Sequence, residues 1–137
     1  MKKNNNKGFT LVELIVVLVI LAILAAILVP ALLGYIDKAR NGQYLEEAHS
    51  IYTATQAYAT EQYAKAPTAA VDMSKVNDYI DPIIEPTKDA SVSVGWGSGN
   101  DKATHTIKTM KVSFTSQNGT SVSTEFDGSS WSDPVKN

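Results

Sequence analysis

KGFTLVELIVVLVILAILAAILVPALL, residues 7 to 33, is the stretch on which the reading of the whole protein turns. From Phe9 to Leu33 only Thr10, Glu13 and Pro30 interrupt the apolar residues. As a helix this run extends about 37 Å, against about 30 Å of hydrocarbon in a bilayer, so it is long enough to span one. A lone carboxylate at membrane depth costs on the order of several kcal/mol unless it is neutralised or paired, which marks Glu13 as a candidate functional residue.

Upstream lies a short basic, Asn-rich leader that ends in Gly8 and carries Lys2, Lys3 and Lys7 but no acid. Lys38 and Arg40 flank the other end, so the positive-inside rule favours a cytoplasmic N-terminus modestly. Downstream the composition turns to Ser, Thr, Gly and Asp over roughly 100 residues, enough for one compact domain. Without the leader, nine basic against fourteen acidic residues leave a net charge of −5, which offers no electrostatic footprint for nucleic acid. There is no cysteine, so stability has to come from packing or assembly and not from disulfides.

The residues "KGFTLVE", 7 to 13, closely resemble the processing site of type IV prepilins and related pseudopilins. The resemblance covers residues 7 to about 40 and implies removal of a leader, residues 1–8, by a prepilin peptidase acting between Gly8 and Phe9. It further implies N-methylation of Phe9, an assembly role for Glu13 as the family's glutamate, and a match of Pro30 to its recurrent mid-helix proline. The implied partners are other copies of the protein in a homopolymeric filament, the prepilin peptidase, the pilus assembly platform with its ATPase machinery, and membrane lipid before assembly. The implied location is a single-pass cytoplasmic membrane protein that becomes an extracellular filament.

The cleavage that the resemblance implies gives Glu13 a physical role. Cleavage at Gly8 would create a cationic amine on Phe9, and in a bundle of parallel, staggered helices a neighbour's amine can meet Glu13. The acid would act as a register pin. The plainer alternative is an acid near a helix start, where the dipole and wet headgroups favour it. Pro30 removes a backbone donor and crowds the preceding turn, so loosening is expected around residues 26–30.

Residues 35–65 contain no proline and carry Leu45, Ala48, Tyr52, Thr55 and Ala59 at spacings of three and four, with Tyr44, Ile51 and Tyr58 beside them. This amphipathic stripe continues the apolar segment into one helix from about residue 10 to 65. Five tyrosines on it, at 35, 44, 52, 58 and 63, read as core and interface packing. After Pro67 a connection to residue 90 includes about two turns of helix in VDMSKVNDYI, closed by Pro82 and Pro86. Period-two alternation then begins at Val92, Val94 and Trp96, and turn residues separate three or four short antiparallel strands.

The expected fold is therefore α+β, a long N-terminal helix packed by its C-terminal half on a small three- to four-stranded antiparallel sheet. The divisions are a leader over 1–8, an apolar helix over 9–33, and a head over 34–137 made of helix 34–65, loop 66–90 and sheet 91–137. Residue parity sets one register. A three-residue loop, Gln117-Asn118-Gly119, pairs Phe114 with Val122, Val112 with Thr124 and Met110 with Phe126, placing the large apolar side chains on one face. Gly119 suits the left-handed last position of such a loop.

No catalytic constellation emerges, and no cofactor or metal is expected. GWGSG at 95–99 lacks a following helix and reads as a hairpin loop, not a dinucleotide fingerprint. His49 falls on the helix and His105 at a strand start, without a motif around either. Asn118-Gly119-Thr120 fits a glycosylation sequon, yet Asn-Gly is also what a tight turn needs. Glu125, Asp127 and Asp133 lack regular calcium-ligand spacing. The leading expectation is a non-enzymatic pilus subunit. Its alternatives are a pseudopilin of a type II secretion or competence system and a secreted domain behind an ordinary signal peptide.

Overall fold

The computed structural model describes residues 7–80, 90–99 and 104–137. Helix α1 runs Leu11–Lys65, as the unbroken helical pattern implies. A 3-10 turn, Met73–Lys75, leads into the short helix α2, Val76–Ile80. Four strands follow, β1 (Ser91–Trp96), β2 (Ile107–Thr115), β3 (Ser121–Phe126) and β4 (Val135–Lys136), in one antiparallel sheet ordered β1-β2-β3-β4. The molecule divides into two units, Met1–Ala39 and Arg40–Asn137. Pro82 and Pro86, expected to close the connection, lie outside the described residues.

In the first unit α1 is continuous through Pro30, so the loosening expected there does not take the form of a break. A proline withdraws one N–H from the ladder and crowds the preceding turn, a disturbance that the hydrogen bonds of the flanking turns carry the helix past.

The second unit is a helix-on-sheet sandwich. Its core joins Tyr44, Ala48, Ile51, Ala54 and Tyr58 of α1 to Val76 and Ile80 of α2 and to Ile107, Met110, Val112, Phe114 and Val122 of the sheet. The buried stripe is turned slightly from the expected line. Ala48, Thr55 and Ala59 of that line are fully buried, Tyr44, Ile51 and Tyr58 beside them are buried too, and Leu45 and Tyr52 are half-buried at its margin. The sheet's aromatic edge explains the offset, because Tyr52 lies edge-on to Phe126 and Trp131, with ring centroids 5.1 and 6.3 Å away.

The register of the β2–β3 hairpin is the one parity requires: Met110 opposite Phe126, Val112 opposite Thr124, Phe114 opposite Val122. The loop closes by Ser116 N–H donating to the Thr120 carbonyl and Gly119 N–H to the Ser116 carbonyl, with Gly119 at φ +82°. That left-handed backbone is open to glycine at no steric cost. Parity breaks once in β2, where the buried positions step from Met110 to Ile107. A bulge absorbs the step: Gly95 pairs with Thr109 and Trp96 with Ile107, skipping Lys108. The extra residue keeps Ile107 on the inner face, opposite Trp96.

Candidate functional site

The N-terminal site begins with the reason α1 starts where it does. Thr10 precedes the first helical residue. Its Oγ1 accepts the Glu13 N–H at 3.3 Å, and Glu13 Oε2 accepts the Thr10 N–H at 2.8 Å. This reciprocal pair is a capping box, which satisfies two of the amide donors left over at a helix start. The carboxylate also faces the positive end of the helix dipole. The plainer reading of Glu13 thus has a definite form in the isolated molecule. Thr10, which from the sequence only interrupts the apolar run, has this role because Thr-x-x-Glu before such a run is the signature of the motif.

Around that acid everything is apolar and uncovered. Among the large apolar side chains from Phe9 to Leu33, exposure runs from 49% at Leu24 to 85% at Phe9. Soluble monomers rarely show a contiguous apolar patch above about a few hundred Å². This surface is therefore suited to lipid or to other apolar helices. Among the described residues α1 is the one helix long and apolar enough to cross a membrane. No charged residue occurs between Glu13 and Asp37, so Glu13 is the one fixed charge that surface carries.

Gly8 and Phe9 precede the helix and are exposed. A Cβ on Gly8 would meet no atom within 4 Å, so nothing in the protein's own packing calls for glycine there. Pro30 lies inside α1 and is exposed as well. The four candidate residues are strung along the first unit and do not converge into a pocket.

A second polar cluster, in the head, was not foreseen. Glu47 is only 7% exposed and lies in the middle of the apolar stripe. Its Oε1 accepts Ser116 Oγ–H at 2.9 Å and Gln43 Nε2–H at 3.0 Å, while Oε2 is buried with no hydrogen-bond partner. One turn away Asn118 Nδ2 donates to the Tyr44 hydroxyl at 3.0 Å. Hydrogen bonds from Asn118 and then Thr120 hold the Tyr44 hydroxyl below the usual tyrosine range. Glu47 could have been flagged from the sequence, since an acid between Tyr44 and Ile51 interrupts the buried face.

The remaining residues singled out from the sequence have structural surroundings. His105 is buried in the turn before β2 instead of starting the strand, with its ring 5.3 Å from that of Tyr63. Gln56 pins this turn, donating to the His105 carbonyl and accepting the Ile107 N–H. His49 is exposed and stacks on Tyr52. Glu125 pairs with Lys111 across the strands, and Asp127 accepts the N–H groups of Ser129 and Ser130. Among the described residues no three His, Cys, Asp or Glu side chains gather into a group that could hold a metal.

Residues 3–29 match the family model of the prokaryotic N-terminal methylation motif. Neither the curated proteins nor the solved structures compared with this sequence include a match. The motif spans Lys3 and Lys7 ahead of the helix, the capping box and most of the exposed apolar helix, and by it the protein bears the class III signal of type IV pilin-like proteins.

Proposed function

We propose that this protein is a structural subunit of a type IV pilus filament. It waits in the cytoplasmic membrane as a single-pass precursor, is cut by prepilin peptidase between Gly8 and Phe9, and is methylated on Phe9. The assembly platform and its ATPase then build it, through the N-terminal helices, into an extracellular fibre. The observation that carries this reading is the methylation motif over residues 3–29, placed on an apolar helix with a single acid and no covering partner.

Each residue has a physical task in that sequence of events. The fold's indifference to a side chain at Gly8 supports a requirement that comes from outside, since a peptidase that threads backbone closely needs glycine. Cutting there removes three lysines that otherwise tether the helix to the cytoplasmic face. Glu13 starts out satisfied by Thr10 and then meets the Phe9 amine of a staggered neighbour, exchanging a local bond for an ion pair in a low-dielectric bundle. Pro30 leaves one carbonyl without its helical donor, a weak point from which the helix can loosen during packing.

Intact mass of the protein recovered from membranes tests the processing. A start at methylated Phe9 is expected, whereas a start near residue 26 would mean an ordinary signal peptide. Labelling cells with antibody against residues 91–137 tests the filament. Long surface fibres are expected of a pilus subunit, and processed protein without such fibres would make it a pseudopilin of a type II secretion or competence system.

A further inference from the structure

Asn118-Gly119 is the pair in which an asparagine side chain loses ammonia most readily in an unfolded polypeptide. The Gly119 backbone nitrogen, once its proton passes to solvent base, can attack Asn118 Cγ. A new bond forms between that nitrogen and Cγ, the bond from Cγ to Nδ2 breaks, and ammonia leaves. Water then opens the cyclic imide at either carbonyl, so the net change is Asn plus water to Asp or isoaspartate plus ammonia. Glycine permits the reaction because no Cβ hinders the approach.

The loop is exposed to water at Gln117, Asn118 and Gly119, so burial gives this pair no protection. Hydrogen bonding restrains it. The amide that must leave donates through Nδ2 to the hydroxyl of Tyr44, which is 1% exposed on the core face of α1. Asn118 Oδ1 accepts the Thr120 N–H at 3.0 Å, and the attacking nitrogen itself donates to the Ser116 carbonyl at 2.8 Å. Ring closure destroys the Tyr44 bond and the Gly119 bond together. Ser116 is in turn held by Glu47, so the same turn of α1 grips both sides of the loop.

We propose that Asn118 is a latent deamidation site that the Tyr44 hydroxyl holds shut, so that conversion records how often the β2–β3 loop opens away from α1. An aspartate at 118 can still accept the Tyr44 hydroxyl's own proton, whereas isoaspartate adds a methylene to the backbone of a three-residue loop and shifts the side chain off Tyr44. The isoaspartate product therefore weakens the grip that the amide provides. The same bond occupies the nitrogen that the Asn-Gly-Thr sequon would offer to a glycan.

The test is peptide mapping by mass spectrometry of the full-length protein in detergent micelles, incubated at mildly alkaline pH, with the protein in denaturant as reference. Asn118 is expected to convert more slowly in the folded protein than in the reference. Tyr44→Phe, which keeps the ring and deletes the hydroxyl, is expected to speed conversion about fivefold, the change in open population from one lost neutral hydrogen bond. Ile80→Val, which weakens the core away from the loop, is expected to leave the rate unchanged. Folded protein converting as fast as the reference, Tyr44→Phe matching wild type, or Ile80→Val accelerating as much as Tyr44→Phe would each overturn the proposal.

Discussion

Glu13 and Glu47 lie on the same helix in opposite surroundings. Glu13 is exposed among uncovered apolar side chains and is satisfied by a residue three positions away. Glu47 is buried in a packed core, where its Oε1 is shared by Gln43 on the same helix and by Ser116, 69 residues further along the sequence. A locally satisfied acid keeps its partner wherever its helix goes, so it can wait for a partner of another kind. An acid whose burial and hydroxyl donor come from a distant strand loop has those only while the whole head is folded. The two units divide their work accordingly, one presenting a surface and the other closing one.

The largest effect is expected at the start of the presenting unit. Gly8→Val should abolish leader removal and fibre formation while leaving membrane insertion intact, because the added side chain meets nothing in the protein itself. Loss of the leader from Gly8→Val protein, read by intact mass, would show the cleavage site to be elsewhere.

Next comes a separation of the two roles of Glu13. Glutamine serves at the third helical position of a capping box as well as glutamate does, but it carries no charge. In cells without wild-type subunits, Glu13→Gln should insert and be processed normally yet give few fibres, as Glu13→Ala should. If Glu13→Gln assembles normally and Glu13→Ala does not, capping is the whole contribution of this residue and the pairing with a neighbour's Phe9 amine is wrong.

In the closed unit, Glu47→Ala leaves the buried Ser116 hydroxyl without its acceptor, at a cost of about 2 kcal/mol in unfolding free energy. Denaturant titration followed by the fluorescence of Trp96 and Trp131, both in the head, measures it. Glu47→Gln retains an acceptor oxygen and should lose distinctly less. Equal losses in the two variants would mean that the Ser116 bond is not what Glu47 supplies. Both changes should leave processing at Gly8 untouched, which keeps the two units separable.

The smallest effect is on acidification. Lys65 and Tyr79 hydrogen bonds hold Glu61 below its usual value, a Ser74 bond does so for Asp72, and the Ser130 and Ser129 amides do so for Asp127. A carboxylate depressed in the folded state contributes stability that is present above its unfolded value and disappears as pH falls through the folded one. Melting temperature of the head should therefore be flat near neutrality and fall gently below about pH 4, gently because these groups are at the surface. A melting temperature that rises on acidification would reverse that sign.

Much of this was legible in the residues themselves, for identifiable reasons. The apolar run from Phe9, the Lys-Gly-Phe junction and the helical spacing to residue 65 are short-range patterns, and a helix needs only near neighbours to form. The hairpin register was equally accessible, because a strand that slipped by one residue would turn Val112 and Phe114 out to water. The capping box of Thr10 and Glu13 is likewise written in four consecutive residues.

Tertiary structure decided what depends on elements meeting across long separations. Which line of α1 is buried followed from where the sheet's aromatic edge lies, and that put Tyr44, Ile51 and Tyr58 in the core and left Leu45 and Tyr52 at its margin. The bulge that skips Lys108 sets Ile107 opposite Trp96 and keeps it on the core face. Glu47 with Ser116, and Tyr44 with Asn118, join residues about 70 positions apart. No local pattern encodes such pairs, because their partners come together only once the helix and the sheet have closed on one core.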